Sequence, residues 1–192
     1  MFLSRYLLLF LSLGAIELMA QPMLVSEVVS SGPNGTTHRV FFQSESGSEV
    51  LSVFASEQHP MVTTSTASFH QVSALSDVLS QNGLLLPGSD TDSWFSIGDG
   101  TIAGAANIGG AAWNAALQSF AGGGDFVCND QYGGAFYLTP GTAQGVVQDS
   151  LLLLGQFTST GTVSLEWNIQ WKPFGQTEAI ESTGLTLTLL PE

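Results

Sequence analysis

Zinc chemistry needs three or four His, Cys or carboxylate ligands converging, usually with some of them paired locally in sequence. The histidines of this chain are His38, His59 and His70, far apart and without an HxH or HxxxH spacing, and its one cysteine is Cys128. A zinc site is not expected. Calcium instead takes oxygen ligands from carboxylates, amides and carbonyls on Gly-rich loops. Asp90, Asp92 and Asp99 flank one predicted strand, and Asp125, Asn129 and Asp130 share another loop. Neither group follows the spaced D-x-[DN]-x-[DN]-G pattern, so solvated loop carboxylates are the first reading. Calcium is the one cofactor for which the sequence leaves room.

Nucleophilic hydrolysis has no foothold, because no G-x-S-x-G occurs and Cys128 has no partner identifiable by spacing. Flanked by Phe126 and Val127, that cysteine reads as a buried strand residue. Gly98-Asp99-Gly100-Thr101-Ile102-Ala103 matches G-x-G-x-x-A, but the dinucleotide fingerprint also needs a parallel βαβ unit, and a Gly/Ala loop follows instead. A paired Asp/Glu for glycoside hydrolysis is a spatial arrangement that no motif reveals. Aromatic rings are the feature the sequence offers most freely: Trp94, Trp113, Trp167, Trp171, Tyr132 and Tyr137. Trp167 and Trp171 fall on the apolar side of an alternating strand and are expected in the core. Trp113 and Tyr132 are the expected exposed rings, able to stack on a sugar.

Three Lys+Arg stand against 16 Asp+Glu, a formal charge of −13. Arg5, Arg39 and Lys172 cannot neutralise a run of phosphates, so nucleic-acid binding is excluded, and an anionic membrane surface would repel the chain. With 44% apolar and 10% charged residues, the chain is too hydrophobic for disorder. Its N-terminus, MFLSRYLLLFLSLGAIELMA, has a basic start, a short apolar run and Ala20 before Gln21. That is the form of a secretory signal peptide cleaved after Ala20, too short in its apolar part to span a bilayer. Residues 21–192 are expected to form one domain.

The elements that must position any site read mostly as strands. Val163 to Trp171 alternates apolar and polar residues, and Leu185, Leu187 and Leu189 alternate with threonines. Thr37 to Gln43 and Glu49 to Ala55, separated by Ser-Glu-Ser-Gly-Ser, predict a hairpin with a five-residue loop. Ser93 to Gly98, Ala135 to Thr139 and Leu151 to Thr158 are further short strands, the last one continuous enough to be buried on both faces. Ala74 to Gln81 and Ala111 to Phe120 predict two short helices. Many strands, few helices and 22 glycines point to an all-β antiparallel sandwich.

The ordered segments Thr37-His38-Arg39-Val40, Ser52-Val53-Phe54, Asp92-Ser93-Trp94 with Ile97-Gly98, Leu154-Gly155-Gln156-Phe157-Thr158 and Asn168-Ile169-Gln170 resemble an uncharacterised family of secreted marine-bacterial proteins. In that family a similar string recurs once per module. The resemblance runs from about Thr36 to Trp171 and includes Trp113, Phe120 to Asp125, Asn129-Asp130 and Gly133 to Phe136. It implies export, but no activity and no catalytic residues. Larger members carry several modules or a sorting domain, whereas here no LPxTG and no apolar anchor follow Gln170, so release is expected.

The expectation is therefore a secreted, non-enzymatic β-sandwich module that serves binding or surface structure, its ligand unidentified and a polysaccharide or a cell-surface component the partners considered, without a transmembrane segment. The alternative is a small secreted carbohydrate-active enzyme using an Asp/Glu pair.

Overall fold

The computed structural model describes residues 21–72, 90–98 and 106–192. The signal-like segment, the expected helix at Ala74 to Gln81 and most of the G-x-G-x-x-A stretch lie outside them. The described chain forms β1 (Met23–Gly32), β2 (Gly35–Gln43), β3 (Glu49–Ala55), β4 (Met61–Ser65), β5 (Trp94–Phe95), β6 (Ala106–Gly109), α1 (Ala111–Ala121), β7 (Phe126–Cys128), β8 (Gly134–Tyr137), β9 (Leu151–Ser159), β10 (Val163–Lys172) and β11 (Ile180–Leu189). Two sheets pack face to face. One has the order β1-β2-β9-β5; the other runs β6-β8-β3-β10-β4-β7, with β11 on the free side of β10. Every ladder among the described strands is antiparallel. This is the all-β sandwich expected from the sequence.

The predicted hairpin between the second and third strands does not form. β2 pairs with β1 and β9 in one sheet, while β3 pairs with β10 and β8 in the other. Each strand faces the core with its own apolar set, Val40 and Phe42 from β2 and Val50 and Val53 from β3. Side by side in one sheet these residues would share a face; across the sandwich they close the core between them. The Ser44–Ser48 loop makes the crossing, held by Ser44 N–H donating to Ser150 O and Gly47 N–H donating to Val147 O.

β3 and β4 lie end to end against the same side of β10, one opposite Asn168–Lys172 and the other opposite Val163–Glu166. The excursion 56–60 between them interrupts the ladder, and Asn168 repairs the gap. Its Nδ2 donates to Phe54 O, His59 O and Pro60 O at 3.1, 2.9 and 2.8 Å, and its Oδ1 accepts from Gly184 N–H at 2.9 Å. Asn168 is 1% exposed although it sits on the polar side of the strand alternation. The unpaired carbonyls of an interrupted ladder are costly to leave dry, which explains a buried amide here.

The core is aromatic. Phe95 of β5 stacks on Phe136 at 5.1 Å and lies within 6 Å of Phe120, Phe126, Phe157 and Trp167. These rings link both sheets and α1 in one cluster. Trp167 is fully buried and donates its indole N–H to Thr63 Oγ1 at 2.9 Å, as the strand alternation requires. Trp171 is buried beside Phe42, and Cys128 is buried too, where burial pushes its thiol pKa up. No helix among the described residues is long and apolar enough to cross a membrane.

Candidate functional site

Trp113 was expected at the surface, and the structure buries it completely. The reason lies in its floor. Gly109 and Gly134 are register partners in β6 and β8, and a Cβ on either would lie 2.3 or 2.2 Å from the Trp113 ring system. Two missing side chains leave a flat bed on which α1 lays its indole, against Phe126 at 5.0 Å and Phe136 at 4.8 Å. Trp113 is a packing residue and cannot meet a ligand.

Tyr132 behaves as expected. It is 76% exposed in the turn between β7 and β8, next to Gly110 at the end of β6. The turn is held by Asp130, whose Oδ1 accepts from Gly133 N–H at 2.8 Å. The neighbouring sheet supplies further surface. Because side chains alternate along a strand, residues opposite one another share a face. On the outer face of the seven-stranded sheet, Ile108, Ala135, Phe54 and Asn168 form one row. Ala106, Tyr137, Ser52, Gln170 and Glu181 form the next. Ile108 and Tyr137 are exposed, and Phe54 is half-buried. Rings and aliphatic groups thus neighbour the Ser52 hydroxyl and the Gln170 amide on this face, with the exposed Glu181 carboxylate at its β11 end.

Among the described residues, the acidic side chains considered for calcium do not converge. Asp92 is 1% exposed, and its Oδ1 accepts from Val72 N–H at 2.8 Å. Burial raises the Asp92 carboxyl pKa, opposed by hydrogen bonds from Val72 and Ser93 N–H and by nearby His70. Asp125 accepts instead from Ser65 N–H at 2.9 Å, Asp130 closes the turn just described, and Asp90 is exposed. Three of these carboxylates fasten three separate loops to the fold, which is why they are acidic without being ligands together. Asp99 lies outside the described residues. Among the described residues no group of three or more His, Cys, Asp or Glu could hold a metal ion.

Trp94 is a second buried ring that the sequence left open. It sits on the outer side of the four-stranded sheet, opposite Gln156, and is 1% exposed. Glu27, Arg39, Gln156 and Trp94 stand in register across all four strands of that sheet. Gln156 donates to Asp92 O at 2.8 Å. The row braces the β5 segment against β9 and offers no open ring.

Sequence reasoning missed Ile108, Phe54 and Gln170 as surface partners of the tyrosines. Phe54 is hidden from a period-two reading by a bulge, because Ser52 pairs with Gln170 and Val50 with Trp171, leaving Leu51 as an extra residue. The short β6 carries no strand signal of its own.

No protein-family model, no curated protein and no solved structure matches the chain.

Proposed function

We propose that this protein is a secreted, non-enzymatic β-sandwich module that binds a neutral polysaccharide or cell-surface glycan on the outer face of its seven-stranded sheet. One observation carries the reading: exposed Tyr137 and Ile108 lie in adjacent in-register rows with Phe54, Ser52 and Gln170, and Tyr132 is exposed in the β7–β8 turn beside Gly110, the residue after β6. A sugar ring has apolar C–H faces and a rim of hydroxyls, and this surface matches both with rings and with uncharged amide and hydroxyl groups. The formal charge of −13 selects against anionic glycans.

Affinity electrophoresis against a panel of neutral and acidic polysaccharides tests it. Binding to at least one neutral polymer is expected, with Tyr137→Ala and Tyr132→Ala each weakening it about tenfold while thermal unfolding stays unchanged. Unaltered affinity in both variants overturns the assignment of the face. Release of reducing ends from any bound polymer would replace this reading with the carbohydrate-active enzyme.

A further inference from the structure

β1 and β11 close the same flank of the sandwich, each the last strand on its side of its sheet. An end strand presents a row of unpaired backbone N–H and C=O groups, and native proteins blunt such a row by shortness, by charge or by a bulge. β5, β6 and β7, at the remaining ends, are two, four and three residues long. β1 has ten residues, but it carries Glu27, and a register shift between Val28 and Ser30 breaks its ladder.

β11 has none of these devices over its second half. Its own register shift falls at Thr183-Gly184, before Leu185, and no charged residue occurs from Ser182 to Pro191 in a chain of formal charge −13. Leu185 to Leu189 pairs with Val163 to Trp167 of β10 along one edge, and no ladder among the described residues occupies the other. Leu185, Leu187 and Leu189 lie on the inner side, opposite Trp167, Leu165 and Val163, and the first two are only partly buried. Thr186 and Thr188 are exposed on the outer side. Two exposed apolar residues stand on the same flank: Val28 is opposite His38 in register, and the Leu190 carbonyl bonds the His38 ring. An uncharged apolar flank beside an open strand edge is a surface for a partner strand.

The order of residues selects the partner. Leu185-Thr186-Leu187-Thr188-Leu189 reads the same in both directions. Residues directly opposite in a ladder share a face. An antiparallel pair of two copies centred on Leu187 therefore sets Leu185 against Leu189, Thr186 against Thr188 and Leu187 against itself, with the leucines inside and the threonines outside. Five residue pairs span about 17 Å, the length of an ordinary strand. That contact is small for a two-fold interface, so the dimer it makes is a weak one.

We infer that two copies of this protein associate through β11, antiparallel about Leu187, so that their seven-stranded sheets continue into one another. The two-fold axis of such a pair is normal to the sheet, and the outer faces of both copies lie on one side. On the glycan reading that surface is then presented twice, but the pairing itself stands without that reading.

Sedimentation velocity over a concentration series up to about 1 mM tests the inference, a range that includes the weak dimers of short contacts. The wild type is expected to pass from monomer to dimer across it. Thr186→Lys with Thr188→Lys sets like charges against one another twice across the two-fold, and association should weaken about tenfold or more although each copy becomes less negative. Thr186→Lys with Thr188→Glu sets opposite charges there and should keep association within about threefold of the wild type. Both threonines are exposed, so the three proteins should share a thermal midpoint. Tyr137→Ala should leave the dimer unchanged. A monomer throughout the series, equal association of the two double variants, or a dimer that Tyr137→Ala removes overturns the inference.

Discussion

His38 shows how one side chain can tie stability to pH. It lies on the inner side of β2, 7% exposed, with Nε2 bonded to Leu190 O at 3.1 Å and Nδ1 unpartnered among the described residues. Burial lowers its pKa below the ordinary 6.5, against the opposing pull of the Leu190 carbonyl and of Glu192. The unfolded chain therefore takes up this proton at a higher pH than the folded one. The contribution of His38 is complete above about pH 6.5 and is lost as pH falls below it. Glu49 acts lower on the scale. Burial alone would raise its carboxyl, but the Lys172 ammonium at 2.7 Å and the Gly141 N–H outweigh burial and hold it below its usual range. Its stabilisation disappears only as pH drops below the ordinary carboxylate value. Asp92, raised by burial, runs the other way and eases as it protonates. Urea midpoints at about pH 7.5 and pH 5 should therefore fall more in the wild type than in His38→Gln, which keeps a donor for Leu190. Equal losses in the two proteins would remove His38 as the cause.

At the scale of elements, the seat of α1 is the most demanding fit. Its Trp113 rests on the Gly109–Gly134 pair, so a single methyl group at position 134 enters the space of the indole. Gly134→Ala should cost about 1–3 kcal/mol as an overpacking change, by thermal or urea unfolding. Gly32→Ala is the control: nothing lies within 4 Å of a Cβ there, and the change should stay within about 0.5 kcal/mol. A Gly134→Ala protein as stable as the control would mean that α1 shifts freely on its sheet. Strand periodicity made β10 readable, because its buried alternate face is long enough to repeat in Val163, Leu165, Trp167, Ile169 and Trp171, whereas β9 was readable as a continuous run buried on both faces. The partners of β2 and β3 were not readable in the same way. A run such as Thr-His-Arg-Val-Phe-Phe-Gln has two open edges, and nothing local says which strand will occupy them.

For the whole molecule, charge is the property that acts at long range. A formal charge of −13 meets one ion pair among the described residues, Lys172 with Glu49, so mutual repulsion of the carboxylates opposes compactness. The screening length shrinks from about 30 Å at 0.01 M salt to about 8 Å at 0.15 M. The urea midpoint should therefore rise on adding sodium chloride over that range. A midpoint that fell would show that local attractions, which salt weakens, outweigh the net repulsion.

Composition and periodicity by themselves determined the all-β class, the helix at Ala111 to Phe120, and the burial of Trp167, Trp171 and Cys128. Each depends on residue type and on spacing along one element. Tertiary structure alone decided that β2 and β3 belong to different sheets, that Asn168 is a buried bridge and Trp113 a buried ring, and that Asp92, Asp125 and Asp130 serve different loops. Those outcomes depend on which distant backbone arrives opposite a residue: a pair of glycines beneath Trp113, an interrupted ladder beside Asn168. Contacts between segments far apart in the chain leave no period in the sequence of either one.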